Sequence, residues 1–258
     1  MSVLQPLVSA LAAGSVEVLD LTTPLSNETP ILNLPQPFAN TVGLSLAEVS
    51  NFNDDGPAWA WNDITIGEHA GTHLDAPTHW ISGRDGKSVD RIEPRRLVGP
   101  AVVIDKTAEA EENPDFVLEP RHFEEWQAEH GDFPQNCWVL FRTGWSSRGS
   151  DAAAFINADD DGPHTPGVSP AAAQWLAANA SVSGFGVETV GIDAGQAAMF
   201  EPMFPVHYYL LGADKYGLTS LQNLDRLPAM GATIVVAPLP IVDGTGSPAR
   251  AYALVEKV

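Results

Sequence analysis

Short apolar runs recur along the whole chain and determine its predicted architecture. They are rich in valine, isoleucine, leucine and aromatic residues, a composition typical of β-strands. Several are almost continuously apolar, as expected of strands that are covered on both faces. We predict strands at residues 16–21, 44–49, 63–67, 101–105, 138–143, 184–192, 233–237 and 251–255.

Two segments carry the signals of helices. Pro120 suits the first turn of a helix that presents Phe123 and Trp126 on one face and ends at Gly131. A second helix is predicted to begin after Ser169, whose hydroxyl can cap the free backbone N–H groups. Because strands outnumber helices and do not alternate with them regularly, we predict a single mixed α/β domain over residues 1–258.

Composition and charge exclude several classes of partner. The chain of 258 residues has 13 basic and 33 acidic side chains and a net charge of -20, so it has no basic surface for nucleic acid or an anionic membrane. Its N-terminal apolar stretch is too short to span a bilayer. A lone cysteine, Cys137, forms no internal disulfide and begins an apolar strand, which predicts a buried, inert thiol. We therefore expect a cytoplasmic protein.

Glycine-rich segments give no sign of nucleotide binding. Residues 244–248, Gly-Thr-Gly-Ser-Pro, lack the spacing of a phosphate-binding loop and do not lie between a predicted strand and a helix. We predict that they form a loop before the last strand.

The segment His-Ala-Gly-Thr-His-Leu-Asp-Ala-Pro-Thr-His at residues 69–79 concentrates possible metal ligands. Imidazole and carboxylate groups bind Zn²⁺, Mn²⁺ or Fe²⁺. On an extended backbone, His73 and Asp75 leave the same face, and Gly71 allows the chain to bend so that His69 converges with them. These three residues are predicted metal ligands that leave positions open for water and substrate.

His79 is the predicted general base. Pro77 favours a turn that brings His79 near the metal without making it a ligand, and a neutral histidine can take a proton from water and return it to a leaving group. Two alternatives stay open, a structural metal site and a purely structural histidine cluster. Structural sites, however, are usually closed by four strong ligands, often cysteines.

The segment also resembles a family signature. It matches the pattern His-x-Gly-Thr-His-x-Asp-x-Pro-x-His of the cyclase-like metal hydrolases, which include bacterial kynurenine formamidases and isatin hydrolases. Further similar segments follow in the family's order at residues 191–195, 204–207, 221–225 and 246–250. Segments 55–61, 162–167 and 193–196, together with Trp80, resemble the isatin hydrolases more than the formamidases.

The resemblance implies a fold, a cofactor and an assembly. The fold would be a swivelling β/β/α domain, a partly open β-barrel flanked by helices, assembled as a homodimer or larger homo-oligomer. One divalent cation is implied, with Mn²⁺ as first choice and Zn²⁺ as the alternative. Gln196 would complete the metal ligands or hold a water, and His207 would orient substrate or relay a proton. Hydrogen-bonded loop side chains are the alternative for these two residues.

One departure from the family bears on the number of metals. Where binuclear formamidases have a glutamate that helps hold a second metal, this chain has Thr219, and the next carboxylate, Asp225, is predicted to lie in the following turn. The resemblance therefore favours a mononuclear centre.

Three tryptophans near the metal segment suggest an aromatic substrate. Trp59, Trp61 and Trp80 offer flat apolar faces, although packing in the core is the alternative. With the resemblance, they predict hydrolysis of a small aromatic cyclic amide, isatin opened to isatinate. N-formylkynurenine, or another small amide or lactone, is the alternative substrate, and a non-catalytic, metal-dependent binding protein is the alternative from another class.

Overall fold

The computed structural model describes residues 4–34 and 36–257, and strands dominate that part of the chain. The strands are β1 (Val16–Asp20), β2 (Ser45–Asn51), β3 (Ala60–Thr65), β4 (His73–Asp75), β5 (Val98–Asp105), β6 (Val117–Leu118), β7 (Cys137–Arg142), β8 (Ala158–Asp159), β9 (Gly162–Pro163), β10 (Gly167–Val168), β11 (Val182–Val187), β12 (Tyr216–Leu218), β13 (Ala232–Pro238) and β14 (Gly246–Glu256). The α-helices are α1 (Gln5–Ala13), α2 (Thr107–Glu112), α3 (Pro120–His130), α4 (Ala152–Ile156) and α5 (Pro170–Ala178). Single turns of other helix types include Pro77–His79, Pro94–Leu97, Ala197–Met199, His207–Leu211 and Leu224–Arg226.

A mixed sheet closes into a barrel at the centre of the molecule. Its strand order is β14-β13-β5-β7-β11-β12-β4, and pairing of β4 with the start of β14 completes the ring, while β1 pairs with the C-terminal part of β14. Strands β5, β7, β11 and β12 run parallel to one another. The predicted mixed α/β barrel with flanking helices is therefore confirmed, with a closed ring where a partly open one was expected.

Strand β7 illustrates why the predicted strands are apolar on both faces. Trp138 and Leu140 pack in the cluster that fills the barrel, whereas Val139 and Phe141 point the other way, into the layer beneath α3 and α5. Cys137 lies in that second layer, and burial raises the pKa of its thiol to about 12. The structure thus confirms the prediction of a buried, inert cysteine.

Both predicted helices form with the expected ends. Helix α3 begins at Pro120 and is followed by Gly131, and its residues Phe123 and Trp126 are buried. The hydroxyl of Ser169 accepts a hydrogen bond from the backbone N–H of Ala172 and caps α5. Local signals were sufficient here because each helix end depends on residues adjacent in sequence.

Several predicted element boundaries were wrong. The strand expected to reach residue 192 ends at Val187, because the buried carboxylate of Glu188 accepts hydrogen bonds from Thr143 and Ser146 of a neighbouring loop. The last strand begins at Gly246 and not at residue 251, since β4 pairs with the segment predicted to be a loop. The third predicted strand lies at Ala60–Thr65. Strands β4 and β12 were not predicted, because three residues carry little periodic signal.

Strands β2 and β3 form a hairpin that stands apart from the barrel. They pair with each other and, within the described residues, with no third strand. Every residue of β3 is exposed, including Trp61 and Ile64, and Trp59 before it is 50% exposed. We call β2, β3 and their connection the arm. None of the helices in the described part of the chain has the length and apolar character needed to cross a bilayer.

Candidate metal centre and active site

Strand β4 holds the centre of the candidate site. It lies between β12 and β14, and the side chains of His73 and Asp75 leave the same face of it. Asp75 is 1% exposed and His73 is 6% exposed. A carboxylate buried this deeply needs a cationic or hydrogen-bonding partner, and the two neighbouring histidines provide it.

Both histidines converge on the same oxygen of Asp75. Gly71 adopts a left-handed φ of 62° that bends the chain and brings His69 back toward β4. The His69 Nδ1 lies 2.8 Å from Asp75 Oδ1, and the His73 Nε2 lies 3.4 Å from it. Glycine at position 246 is required for close approach, since a Cβ there would lie 2.5 Å from the His69 ring.

Outer partners determine which nitrogen of each ring is free. The Nδ1–H of His73 donates toward Gly71 O at 2.8 Å and Thr219 Oγ1 at 2.9 Å, so its Nε2 faces Asp75 as a lone pair. The hydroxyl of Thr245 donates to Glu68, so it accepts from His69 Nε2–H at 2.9 Å. The Nδ1 of His69 then also presents a lone pair to the carboxylate.

This arrangement is suited to a cation. Two imidazole lone pairs and a carboxylate oxygen face one another, an arrangement that is repulsive unless a proton or a metal ion lies between them. Burial opposes ionisation of Asp75, but with a proton on each facing ring nitrogen the charge of His73 and the hydrogen bonds from His69 and His73 hold the pKa of its carboxyl well below its usual range. The donor set of two imidazoles and one carboxylate therefore fits a divalent metal.

His79 lies beside this cluster, as the turn at Pro77 predicts. Its ring stacks on that of His69 with centroids 3.8 Å apart, and ligand atoms of His69, Asp75 and His79 lie within 4.8 Å of one another. Burial lowers the pKa of His79 to about 3, despite the opposing charge of Asp75. Its ring makes no hydrogen bond to another of the described residues. His79 is therefore a neutral histidine with one unprotonated ring nitrogen that is free to accept a proton.

His207 forms the opposite side of the site. Its Nδ1 lies 2.6 Å from Asp193, whose carboxylate also accepts backbone N–H groups of Val206 and His207. Burial disfavours the charged ring, but the hydrogen bond and charge of Asp193 outweigh burial and raise the pKa of His207. The His207 ring lies 4.7 Å from the ring of Trp80 and 5.4 Å from that of His79. The rings of His79, Trp80 and His207 thus pack against one another, with centroids 4.7–6.2 Å apart.

Three other predicted residues lie outside this group of contacts. The Gln196 side chain donates from Nε2 to Pro163 O at 2.9 Å, in the loop before Ala197–Met199. Trp59 and Trp61 lie on the arm and are 50% and 59% exposed. The alternative prediction, that they pack in the core, is therefore wrong.

Several residues that complete the site were not predicted to contact its histidines. Thr245 orients His69 across a separation of 176 residues, and Asp193 orients His207. Thr219 is fully buried, with its hydroxyl against His73, whereas Asp225 is exposed in the turn that follows. Only tertiary structure brings these hydroxyl and carboxylate groups to the histidines.

Comparisons with known proteins agree with this geometry. The family model described as "Putative cyclase" matches residues 19–194. Isatin hydrolase of Roseibium aggregatum is 47% identical over 99% of this chain and 98% of its own length. Kynurenine formamidase of Bacillus cereus is 27% identical over 91% of this chain and 96% of its own.

Solved structures extend the likeness to the fold. The crystal structure of an isatin hydrolase bound to the product analogue thioisatinate has a TM-score of 0.96 at 46% identity, with both chains covered completely. Isatin hydrolase A from Ralstonia solanacearum has a TM-score of 0.96 at 48% identity and covers 99% of this chain and 98% of its own. By family model, full-length identity and fold, this chain belongs to the cyclase family.

Proposed function

We propose that the protein is a metal-dependent hydrolase that opens a cyclic amide, with isatin converted to isatinate as the reaction. The observation that carries this proposal is the convergence of His69 and His73 on buried Asp75, with the free ring of His79 stacked beside them. The 47% identity to isatin hydrolase over 99% of this chain supports the choice of substrate.

His69, His73 and Asp75 are the proposed ligands of one divalent cation. Gln196 is the proposed fourth, through Oε1, because its Nε2 already donates to Pro163. When bound, such a cation polarises a carbonyl oxygen and lowers the pKa of a coordinated water. Two histidines and a carboxylate suit both Mn²⁺ and Zn²⁺. We propose Mn²⁺ because of the resemblance to the isatin hydrolases, with Zn²⁺ as the alternative.

The protein's own residues would handle the protons. In the reaction, the oxygen of one water bonds to the lactam carbonyl carbon, the carbon–nitrogen bond breaks and the aniline nitrogen gains a proton. His79 is neutral, and we assign to it the acceptance of the water's proton and its transfer to that nitrogen. His207, fixed through Nδ1 by Asp193, would orient a substrate carbonyl or relay a proton, and Trp80 would contact the aromatic ring.

The direct test is an ultraviolet absorbance assay with isatin on metal-stripped protein, to which Mn²⁺ or Zn²⁺ is added back separately. We expect loss of the isatin absorbance band only when metal is present. No change with either metal would exclude isatin as substrate. N-formylkynurenine would then be the next candidate substrate. Tight binding of isatin without formation of product would favour a non-catalytic binding protein.

N-formylkynurenine hydrolysis is the second candidate because formamidases are among the relatives, at 27% identity in the case cited. One observation weighs against it. Thr219 packs against His73 at the position where the sequence comparison expects a glutamate in binuclear formamidases. We therefore keep a mononuclear centre and isatin as the leading proposal.

We further propose that the protein is a homodimer or larger homo-oligomer in which the arm of one copy covers the site of another. A two-stranded hairpin is marginally stable alone, and this one exposes Phe52, Trp59 and Trp61 by 50–68%. Two arms exchanged by a twofold axis would offer on the order of 600 Å² of aromatic surface, a little over a third of a standard interface of about 1,600 Å². Trp59 and Trp61 would then serve as substrate-binding residues of the partner's site.

Size-exclusion chromatography with light scattering tests this arrangement. We expect the wild-type protein to be a dimer or larger, and Ile64→Asp on the arm to shift it toward monomer with reduced turnover and unchanged metal content. Met230→Asp, at another partly exposed apolar position, is the matched control and should change neither. A monomeric, fully active wild-type protein would contradict the proposal.

A further inference from the structure

A cavity of about 490 Å³ opens at the end of the barrel where the parallel strands begin. Its walls come from residues that precede β5, β7 and β12 and from residues before and at the start of β11, four adjacent parallel strands. The proposed metal ligands His73 and Asp75 lie on β4, and none of the residues of the candidate active site lines this cavity. We call this space the amino-end cavity. It is separate from the candidate active site.

Three cationic side chains line the amino-end cavity: Arg95, Arg96 and Lys215. They are three of only 13 basic residues in a chain with 33 acidic ones, and no acidic side chain is among the lining residues. In so acidic a protein, a cavity lined by three cations and no carboxylate is not what the overall charge predicts.

Two of these cations have N–H groups that do not donate to a protein acceptor. Lys215 is 7% exposed, and its Nζ donates to the carbonyls of Leu176 and Asn179, which leaves a third N–H. Arg96 donates from one terminal nitrogen to Asp214 O, but its Nε is buried and has no partner. A buried donor without a partner costs stability, so Arg96 is incompletely satisfied in the free protein.

Most neighbouring polar groups already have hydrogen-bond or ion-pair partners. Asn136 donates to the carbonyls of Arg95 and Val98 and accepts from Ser183, and Gln135 donates to Ser181. The nearby carboxylate of Glu93 pairs with Arg95, and Oδ2 of Asp214 pairs with Lys87, whereas Oδ1 of Asp214, an acceptor, is buried without a partner. The unpaired donors that remain in the cavity are therefore cationic.

The cations also repel one another. Burial, and then the charge of Arg96, lower the pKa of Lys215 to about 8. An anion between these groups would offset the repulsion and accept the spare hydrogen bonds, since charge-assisted bonds are the strong ones. The volume exceeds that of a single oxyanion, so a group attached to the anion could also be accommodated.

We propose that the amino-end cavity binds a phosphate group, through Arg96 and Lys215 with Arg95 at its mouth. The ligand is inorganic phosphate or a small phosphate monoester. Arginine and lysine side chains are the usual partners of phosphate, arginine through its planar fork and lysine as a point charge. This site does not depend on the proposed hydrolase activity.

Isothermal titration calorimetry on the full chain tests the proposal, with inorganic phosphate and ribose 5-phosphate as separate probes and sodium chloride at equal ionic strength as the blank. We expect saturable binding and a matching rise in melting temperature. Tighter binding of ribose 5-phosphate would identify the monoester as the ligand, and equal or weaker binding would identify free phosphate.

Variants locate the site. Arg96→Gln should weaken binding about tenfold, as loss of a charge-assisted hydrogen bond implies, while Arg121→Gln, on the exposed start of α3, should have no effect. If Arg96→Gln does not fold, Arg95→Gln serves instead, because the Arg95 side chain is 82% exposed. Absence of saturable binding to the wild-type protein, or unchanged affinity in the arginine variants that fold, would overturn the proposal.

Discussion

His79→Ala is expected to lower the turnover number for isatin by about 10²–10⁴-fold, the usual contribution of a general acid–base residue, while the bound metal is retained. The His79 ring is neutral and free of hydrogen bonds to the described residues, and it stacks on His69 without sharing its contact to Asp75. Removing it should therefore remove a proton acceptor and leave the proposed ligands His69, His73 and Asp75 in place.

Two measurements on the His79→Ala protein separate the possible roles. Metal content by mass spectrometry should equal that of wild type, and the steady-state assay should show the loss in kcat. His130→Ala, at the end of α3, is the matched histidine control and should retain full turnover. Turnover within a fewfold of wild type would contradict the base assignment. Loss of metal together with turnover would place His79 among the ligands, because its nitrogens lie within 4.8 Å of theirs.

Asp75→Asn is expected to abolish turnover by a different route, through loss of the metal. Asp75 is 1% exposed, and its Oδ1 is the point on which both His69 and His73 converge. Changes to outer partners of a metal site cost about 10–100-fold in affinity, so replacement of the one carboxylate among the proposed ligands should cost more than about 100-fold. The similar size of asparagine should preserve the fold.

Competition with a chelator would measure the metal affinity of the Asp75→Asn protein, and circular dichroism would confirm that it is folded. Asp225→Asn is the matched control, since Asp225 is an exposed carboxylate in the Leu224–Arg226 turn. Asp225→Asn should bind metal as the wild type does. Wild-type metal affinity in the Asp75→Asn protein would contradict the assignment of Asp75 as a ligand.

These two predictions depend on residues that the sequence identifies, but on distances that it does not. The spacing of His73 and Asp75 puts them on one face of any extended segment, and Gly71 permits the bend that returns His69. Such local relations follow from backbone geometry alone. That His69 is oriented by Thr245, however, required β14 to close the barrel against β4.

The same division holds for the fold. The sequence by itself determined the apolar strands of the barrel and the ends of α3 and α5. The signals for these elements are the pattern of apolar residues, a proline and a capping serine, and each of them acts over a few neighbouring residues. Tertiary structure alone decided the three-residue strand β4, the end of β11 at Glu188 and the exposed position of the arm. It also brought Asp193 to His207 and gathered three cations in the amino-end cavity. Each of these features depends on which distant segments become neighbours, and no periodic pattern or adjacent residue specifies that.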